Sequence, residues 1–456
     1  MVMNTFIFKF SSRLFTNIVI CAILFFSKNG NSQTTYYKDI YPIILKNCVN
    51  CHRSDGYGPF SLTTYDDIQK RSQFIKHVIT NRIMPPWNAD NHYRDFANNR
   101  SLSDEQIKKI INWIDSGSVE GVKPKIKENI TYGESSQLPL KVDLKLRMKE
   151  PFTVKGINQN TYICYKIPYE IKNDTFASAI EFVPGNKSIV HHASYQILEV
   201  ADDVDITSGP THFVFDADTL NRVTDDHDFR FFNLIGKDGK MPVETYHGGW
   251  LPGTTAQVYQ NGIGIRIPKK GVLLIRNFHY SPTPIETTDL SGFNIFFTCS
   301  KISRTLGFAS FKPQNPTKDG KWFIKANDSN FVAHINVKFY NDVSLLNINP
   351  HMHRLGKTFL SYVITPTKDT IHLIKIPSWD HNWQEFYRFK KMIKIPKGSV
   401  LHAEAKYDNS EKNLDNPYTP PKDIMFEWGM NEDSEMMRLV LLYLPYQMGD
   451  ETKHLK

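Results

Sequence analysis

Phe331-Val332-Ala333-His334-Ile335-Asn336-Val337-Lys338-Phe339-Tyr340 and Leu439-Val440-Leu441-Leu442-Tyr443-Leu444 set the character of most of this chain. Both runs are rich in Val, Ile, Leu, Phe and Tyr. From about residue 140 onward such runs alternate with Gly, Pro, Asn and Asp, the punctuation of short strands and turns. That spacing predicts an all-β antiparallel sandwich. Roughly 300 residues of it exceed one sandwich, so two jelly-roll-like sandwiches are expected, over 140–288 and 289–456.

Upstream the period changes from two to 3.6. Ile40, Ile43 and Ile44 share one helical face, and Ile68, Ile75, Val78 and Ile79 suggest a second helix. Ser103 and Gln106 have capping-box spacing, Ile107, Ile110, Ile111 and Ile114 follow at i, i+3, i+4 and i+7, and Gly117 is placed to end that helix. A small, mostly α domain is therefore expected over 33–118, joined to the β region by a polar linker, 119–139. The fold class is multidomain.

Residues 1–32 read as a secretory signal. Lys9 and Arg13 precede the apolar stretch Ile18–Phe26, and Gly30 and Ser32 suit cleavage before Gln33. A retained anchor shares this pattern. No later segment is apolar enough to span a membrane, so a periplasmic or secreted protein is expected. The net charge of +8 is spread along the chain without a Lys/Arg block, which argues against nucleic acid as a partner. In an oxidising compartment Cys164 and Cys299 are equally consistent with a disulfide and with two buried thiols.

Cys48-Val49-Asn50-Cys51-His52 is a c-type haem attachment pattern. Two thiols can bond the haem and the adjacent His can ligate iron. A disulfide or half a zinc site would also use a Cys pair, but the helical region offers no second pair for zinc. Met84, in Ile83-Met84-Pro85-Pro86-Trp87, is the lone Met between His52 and the linker, and so the candidate sixth ligand.

Metal-capable side chains concentrate in three further places: Val190-His191-His192-Ala193, Asn277-Phe278-His279-Tyr280, and Pro350-His351-Met352-His353 with Met436. On a strand, His351 and His353 point to one face. His191 and His192 point to opposite faces and can share an ion only if the backbone bulges or ends there. Two imidazoles with a thioether suit Cu(I), and three imidazoles suit an electron-storing copper. Singly, each pattern is more often a satisfied histidine or a core methionine.

Together, in this order, they resemble the copper type II ascorbate-dependent monooxygenases, the family of the peptidylglycine α-hydroxylating and dopamine β-hydroxylating enzymes. Thr161-Tyr162-Ile163-Cys164, Gly249-Trp250-Leu251-Pro252-Gly253, the set Trp379, Trp383, Gln384 and Tyr387, then Tyr407-Asp408-Asn409-Ser410 and Asn416-Pro417 join the resemblance, which spans roughly 140–445. The chain is also similar to bacterial forms that fuse a cytochrome c domain ending in MPPW. The resemblance implies one copper on His191, His192 and His279 and a second, where dioxygen reacts, on His351, His353 and Met436. Met437 competes with Met436 as the thioether, and Met352 points away from its flanking histidines. It further implies a hydroxylase acting on an aliphatic or benzylic C–H bond of a small organic substrate with O2. The cofactors would be two coppers and haem c, and the electron donor a redox protein, a quinol-linked donor or ascorbate. The rival is a secreted haem and copper electron-transfer or copper-binding protein without oxygenase activity. Where the peptide-amidating enzyme grips its substrate with Arg, Asn and Tyr, this chain has Asn349, Arg438 and Val440. Asn349 cannot clamp a carboxylate in the bidentate way an Arg does, so a glycine-extended peptide is not expected as substrate.

Overall fold

The computed structural model describes residues 33–124, 136–215, 227–259, 262–298, 300–313, 322–426 and 434–455. The expected signal, Cys299 and residues 125–135 of the expected linker lie outside them. Among the described residues, no helix is long and apolar enough to cross a membrane.

The helical part comes first. Tyr41–Asn47, Tyr65–Gln69, Ser72–Thr80 and Asp104–Asp115 are α-helices. The one helix expected around Ile68–Ile79 is thus two, with Lys70 and Arg71 between them. The last helix begins as its sequence asks. Ser103 accepts from the Gln106 backbone N–H at 3.2 Å, and Gln106 Oε1 accepts from the Ser103 N–H at 2.9 Å. Gly117 follows at φ +93°, a left-handed position that suits glycine. Tyr36, Ile40, Ile44, Ile68, Ile79, Ile110 and Trp113 form the core these helices share.

Two β-sandwiches follow. In the first, a sheet containing Thr161–Glu170, Lys270–Tyr280, Val190–Glu199 and Val243–Trp250, in that spatial order, faces a second five-stranded sheet across a core that includes Ile197, Ile275, Phe182 and Phe293. The strand Gly292–Phe297 pairs with Thr175–Val183 in this sandwich, so the first unit runs past residue 288. In the second, Val343–Met352 lies between Met437–Pro445 and Tyr387–Ile395. That sheet packs on the one built from Phe331–Lys338, Val400–Tyr407, Gly356–Ile364 and Thr370–Ile376. The quoted run Phe331–Tyr340 is thus an antiparallel strand from Phe331 to Lys338, paired with Val400–Tyr407.

The segment after Met84 leaves the helical core and lies on the second sandwich. Ala89 and Phe96 belong to that sandwich's core. The Phe96 ring stacks on Phe389 at 5.6 Å, and Trp87 meets Tyr387 edge-on at 5.1 Å. Burying a side chain such as Phe96 contributes roughly 2–3 kcal/mol, so this attachment is apolar as well as hydrogen-bonded. Asp90 N–H donates to Lys375 O at 2.8 Å and Ala97 N–H to Arg388 O at 2.7 Å. The Arg100–Glu385 ion pair joins the same two parts.

Candidate metal and haem centres

The strand pair Val190–Glu199 and Lys270–Tyr280 builds the first cluster. Val190 pairs with Tyr280, and then His192, not His191, pairs with His279. The skipped residue is a β-bulge, the device that lets two adjacent histidines face one place. His191, His192 and His279 consequently bring ligand atoms within 4.8 Å of one another. The atoms that converge are the Nδ1 nitrogens: His192 Nδ1 lies 3.3 Å from both His191 Nδ1 and His279 Nδ1. His279 Nε2 sits 2.8 Å from Asn160 Oδ1, a bond that puts its proton on Nε2 and its lone pair on Nδ1. Tyr162, opposite His279 on the neighbouring strand, stacks on the His279 ring at 4.2 Å.

Burial keeps these rings neutral. It pushes His191 down to about 4, with Asp380 opposing and His381 adding. It pushes His192 down to about 3, with His191 adding, and His279 well below the ordinary histidine value, again with help from its neighbours. Three uncharged imidazoles with converging Nδ1 atoms are a donor set for a cation. The residues present fit copper, which takes imidazole readily.

The second cluster sits at the end of Val343–Met352. His351 is in the strand, His353 just past it, and their rings are 5.1 Å apart at 89°. Here the outer nitrogen of each ring is Nδ1. His351 Nδ1–H donates to Gln384 Oε1, whose own Nε2 is held on His381 O at 2.8 Å. His353 Nδ1–H donates to Ser434 O at 2.8 Å. Both lone pairs therefore lie on Nε2. Burial holds His351 well below the usual range, and the nearby His353 pushes the same way.

The buried Glu435 carboxylate ties Met436 to this turn. It accepts from the backbone N–H groups of His353 at 3.1 Å, Leu355 at 2.6 Å and Met436 at 3.3 Å. Burial pushes its pKa up to about 8, against the pull of those three donors. Tyr407 Oη–H holds Met436 O at 3.0 Å. Met437 and Met352, which pair across the strands, both pack in the second sandwich's core, whereas Met436 lies outside that cluster. Two imidazole Nε2 lone pairs, with a thioether carried on the adjoining turn, are a donor set that fits Cu(I).

In the helical domain, the turn after Tyr41–Asn47 carries Cys51 N–H and His52 N–H back to Cys48 O, at 3.1 and 2.9 Å. That helical turn puts Cys48, Cys51 and His52 side by side, with both cysteines as free thiols. His52 Nδ1–H donates to Phe60 O at 3.1 Å, which fixes the tautomer that offers Nε2 to iron. Gly58 lies so close that a Cβ there would be 2.5 Å from His52 Nδ1. These residues fit a covalently attached haem. Met84 is 38% exposed and lines a cavity of about 570 Å³ together with Trp87, Asp380 and Trp383.

Residues 38–118 match the family model for cytochrome c. Residues 332–446 match that for the copper type II ascorbate-dependent monooxygenase, C-terminal domain. The chain carries a copper type II monooxygenase domain behind a cytochrome c. The first match holds Cys48, Cys51, His52 and Met84, and the second holds His351, His353 and Met436; the three-histidine cluster lies between them. This pairing of domains supports a copper monooxygenase with haem electron transfer in general terms. No curated protein matches the chain. Among solved structures, the infectious bursal disease virus VP2 subviral particle is 7% identical, covering 71% of this chain and 77% of that one at a TM-score of 0.19. The tandem CBM22 domains of Paenibacillus barcinonensis Xyn10C are 8% identical over 63% and 79%, at 0.14. Likenesses this slight carry no argument.

Gln384 and Trp383 join the sequence resemblance without a role, Glu435 enters there only as the acidic residue before Met436, and Asn160 and Asn88 do not stand out in the sequence. The monooxygenase's loop 380–386 is the largest of these omissions. It orients His351 through Gln384 and brings the Trp383 ring to 6.2 Å from His191, so one loop touches both histidine clusters. The signal available was the density of Trp, His, Asn and Gln over 379–384, unusual for a plain turn.

Proposed function

We propose that this protein hydroxylates a C–H bond of a small organic substrate with O2, using two coppers, with electrons arriving through a covalent c-type haem. The observation that carries the reading is the single loop, 380–386, engaged with both histidine clusters. His191, His192 and His279 would hold one copper, and His351, His353 and Met436 the other. Copper at the second site supplies one-electron chemistry toward O2, and copper at the first stores the further electron the reaction needs.

The protein's own residues prepare this. Burial keeps the imidazoles unprotonated at neutral pH, so no proton has to leave before a metal is held. Gln384, Ser434 and Asn160 fix which ring nitrogen faces inward. Asn349 spends its amide on Gln384 O and Glu385 O, at 3.3 and 2.9 Å, bracing the loop. It is therefore not available to grip a carboxylate, which supports a substrate other than a glycine-extended peptide. The apolar run Ile18–Phe26 supports export.

The test uses the full chain loaded with haem and copper. Metal analysis should give two coppers and one iron per chain. With the haem reduced and a panel of aliphatic and benzylic substrates, O2 uptake should depend on substrate, and product should carry 18O from 18O2 and none from labelled water. Loaded protein that consumes no O2 with any substrate class would favour electron transfer or copper handling without oxygenation.

A further inference from the structure

The helical domain is seated on the second sandwich by the segment that follows Met84, and one residue of that segment reaches the loop shared by the two clusters. Asn88 Nδ2–H donates to Trp383 O at 3.3 Å and to Asp380 O at 3.4 Å. Trp383 N–H in turn donates to the Asp380 backbone O at 3.1 Å, and Asn382 N–H donates to the Asp380 carboxylate at 2.9 Å. The Trp383 ring then lies 6.2 Å from the His191 ring, centroid to centroid. With Met84 as the haem's sixth ligand, the path is four peptide units of covalent chain, the Asn88 side chain, one hydrogen bond, the Trp383 backbone and side chain, and one ring-to-ring gap.

From this connection we infer that Asn88 and Trp383 form the electron path from the haem to the three-histidine copper. The inference rests on the reading above, in which those two centres are donor and acceptor. One electron leaves ferrous haem, which becomes ferric, and enters Cu(II), which becomes Cu(I). No bond forms or breaks, no proton moves, and Trp383 itself is neither oxidised nor reduced; it fills the gap with bonded and aromatic matter in place of water.

A second route runs on the other side of the helical domain and is inferior. Tyr57 meets Trp250 at 5.4 Å, and Trp250 pairs with Ala193, next to His192. But the Trp250 ring packs on Phe182 at 4.9 Å in the first sandwich's core, so it reaches a histidine only through the Ala193 backbone. The helical domain is attached on both sides, with Arg100 and Asn50 donating to Pro252 O and Gly253 O beside Trp250 at 3.1 and 3.4 Å, and the Asn88 side is braced directly at the loop. Asn98 donates to Phe386 O at 2.9 Å and accepts from Arg388 N–H at 2.9 Å, and the Arg100–Glu385 pair is mostly buried, so loop 380–386 and segment 84–100 hold one another in place.

The experiment is anaerobic flash reduction of the haem in full-length protein loaded with haem and oxidised copper. The haem band and the Cu(II) paramagnetic signal are followed at several protein concentrations. Wild type should show concentration-independent haem oxidation matched by loss of Cu(II). Trp383→Leu should slow that rate roughly tenfold or more through weaker coupling, equivalent to about 1.4 kcal/mol of apparent activation free energy. Haem potential, copper content and the Cu(II) spectrum should stay as in wild type. Trp383→Phe should recover most of the rate, and Asn88→Ala should slow it by less than Trp383→Leu. Trp250→Phe should leave it unchanged. Should Trp383→Leu fail to hold copper, Trp383→Phe, Asn88→Ala and Trp250→Phe still decide. Wild-type rates in both Trp383→Leu and Asn88→Ala, or, where Trp383→Leu lacks copper, a wild-type rate in Asn88→Ala with slowing in Trp250→Phe, would overturn the path while leaving haem-to-copper transfer intact. A wild type that shows no intramolecular transfer would instead remove the parent reading of the haem as donor, and this path with it.

Discussion

The two histidine clusters use opposite sides of the imidazole ring. In the first, three Nδ1 atoms converge on a bulged strand pair, and Asn160 ties the outer nitrogen of His279. In the second, both Nδ1 atoms are spent on carbonyl oxygens of Gln384 and Ser434, which leaves the lone pairs on Nε2. Nδ1 lies next to the Cβ attachment, so a cluster built on it is held by the backbone. Nε2 lies at the far tip, so a cluster built on it depends on what grips the ring from behind. The first is therefore rigid by its strands, which suits the electron-storing role proposed for it. The second is rigid by its hydrogen bonds and keeps a lighter, mixed donor set.

The sharpest way to break this comparison is to remove the thioether from the second cluster. Met436→Leu keeps volume and loses sulfur. Cu(I) affinity at that site should fall roughly a hundredfold or more, about 2.8 kcal/mol, while the three-histidine site keeps its metal. Competition with a chromophoric Cu(I) chelator measures it, and X-ray absorption should show the Cu–S contribution vanish. Met437→Leu is the contrast. Met437 packs with Met352 in the second core, so this change should cost less than about 1.5 kcal/mol of stability and no copper. Loss of the Cu–S signal in Met437→Leu instead would move the thioether one residue along.

Local signals explain what could be read from the chain. Ser103, Gln106 and Gly117 announce a helix because caps act within four residues. The HH pair at 191–192 announced its own condition, a bulge, because strand alternation is a local rule, and the pairing meets it. What could not be read depends on partners far along the chain. Segment 87–100 is Asn- and Asp-rich and looks like a connecting loop, yet Phe96 and Ala89 complete a core whose other members lie beyond residue 320. The strand Gly292–Phe297 joins the first sandwich because Phe293 and Ile295 fill its core, and nothing within the strand says which sandwich needs them. Gln384 reads as an ordinary polar residue until folding puts it behind His351.

A smaller effect should come from loosening that grip. Gln384→Leu leaves the His351 Nδ1–H without its acceptor, a loss of roughly 1–3 kcal/mol for a buried donor. Metal affinity at the second site should fall about 10- to 100-fold. Asn160→Leu removes the matching contact of the first cluster, where the strands already aim the rings, and should cost no more than about tenfold. Titration of each variant with copper under anaerobic conditions gives both numbers. Equal losses at the two sites would mean that the strand bulge contributes no rigidity of its own.

The smallest expected effect is a difference in pH response. In the metal-free protein, burial lowers His191 to about 4 and His192 to about 3, with His279 also well below its usual value. A depressed pKa means the ring is already neutral at pH 5, so protons do not compete with copper there. Affinity of the first site should be flat from pH 7 to 5 and fall only as pH drops through about 4. Three exposed histidines near 6.5 would instead lose affinity over that whole range. The second site carries an opposite element. Glu435 is raised to about 8, so it holds a proton at neutral pH in the metal-free protein. A cation bound beside its neighbours His353 and Met436 favours the charged carboxylate, so loading releases that proton. Affinity should then rise as pH rises toward about 8, by at most roughly tenfold per unit, and level off above it. Glu435→Gln keeps the shape, loses the titration, and should flatten that slope. Copper affinity measured from pH 5 to 9 at each site, in wild type and Glu435→Gln, separates the two behaviours. A second site as flat as the first in wild type would show that Glu435 is already ionised at neutral pH, held so by the backbone N–H groups of His353, Leu355 and Met436 rather than protonated by its burial.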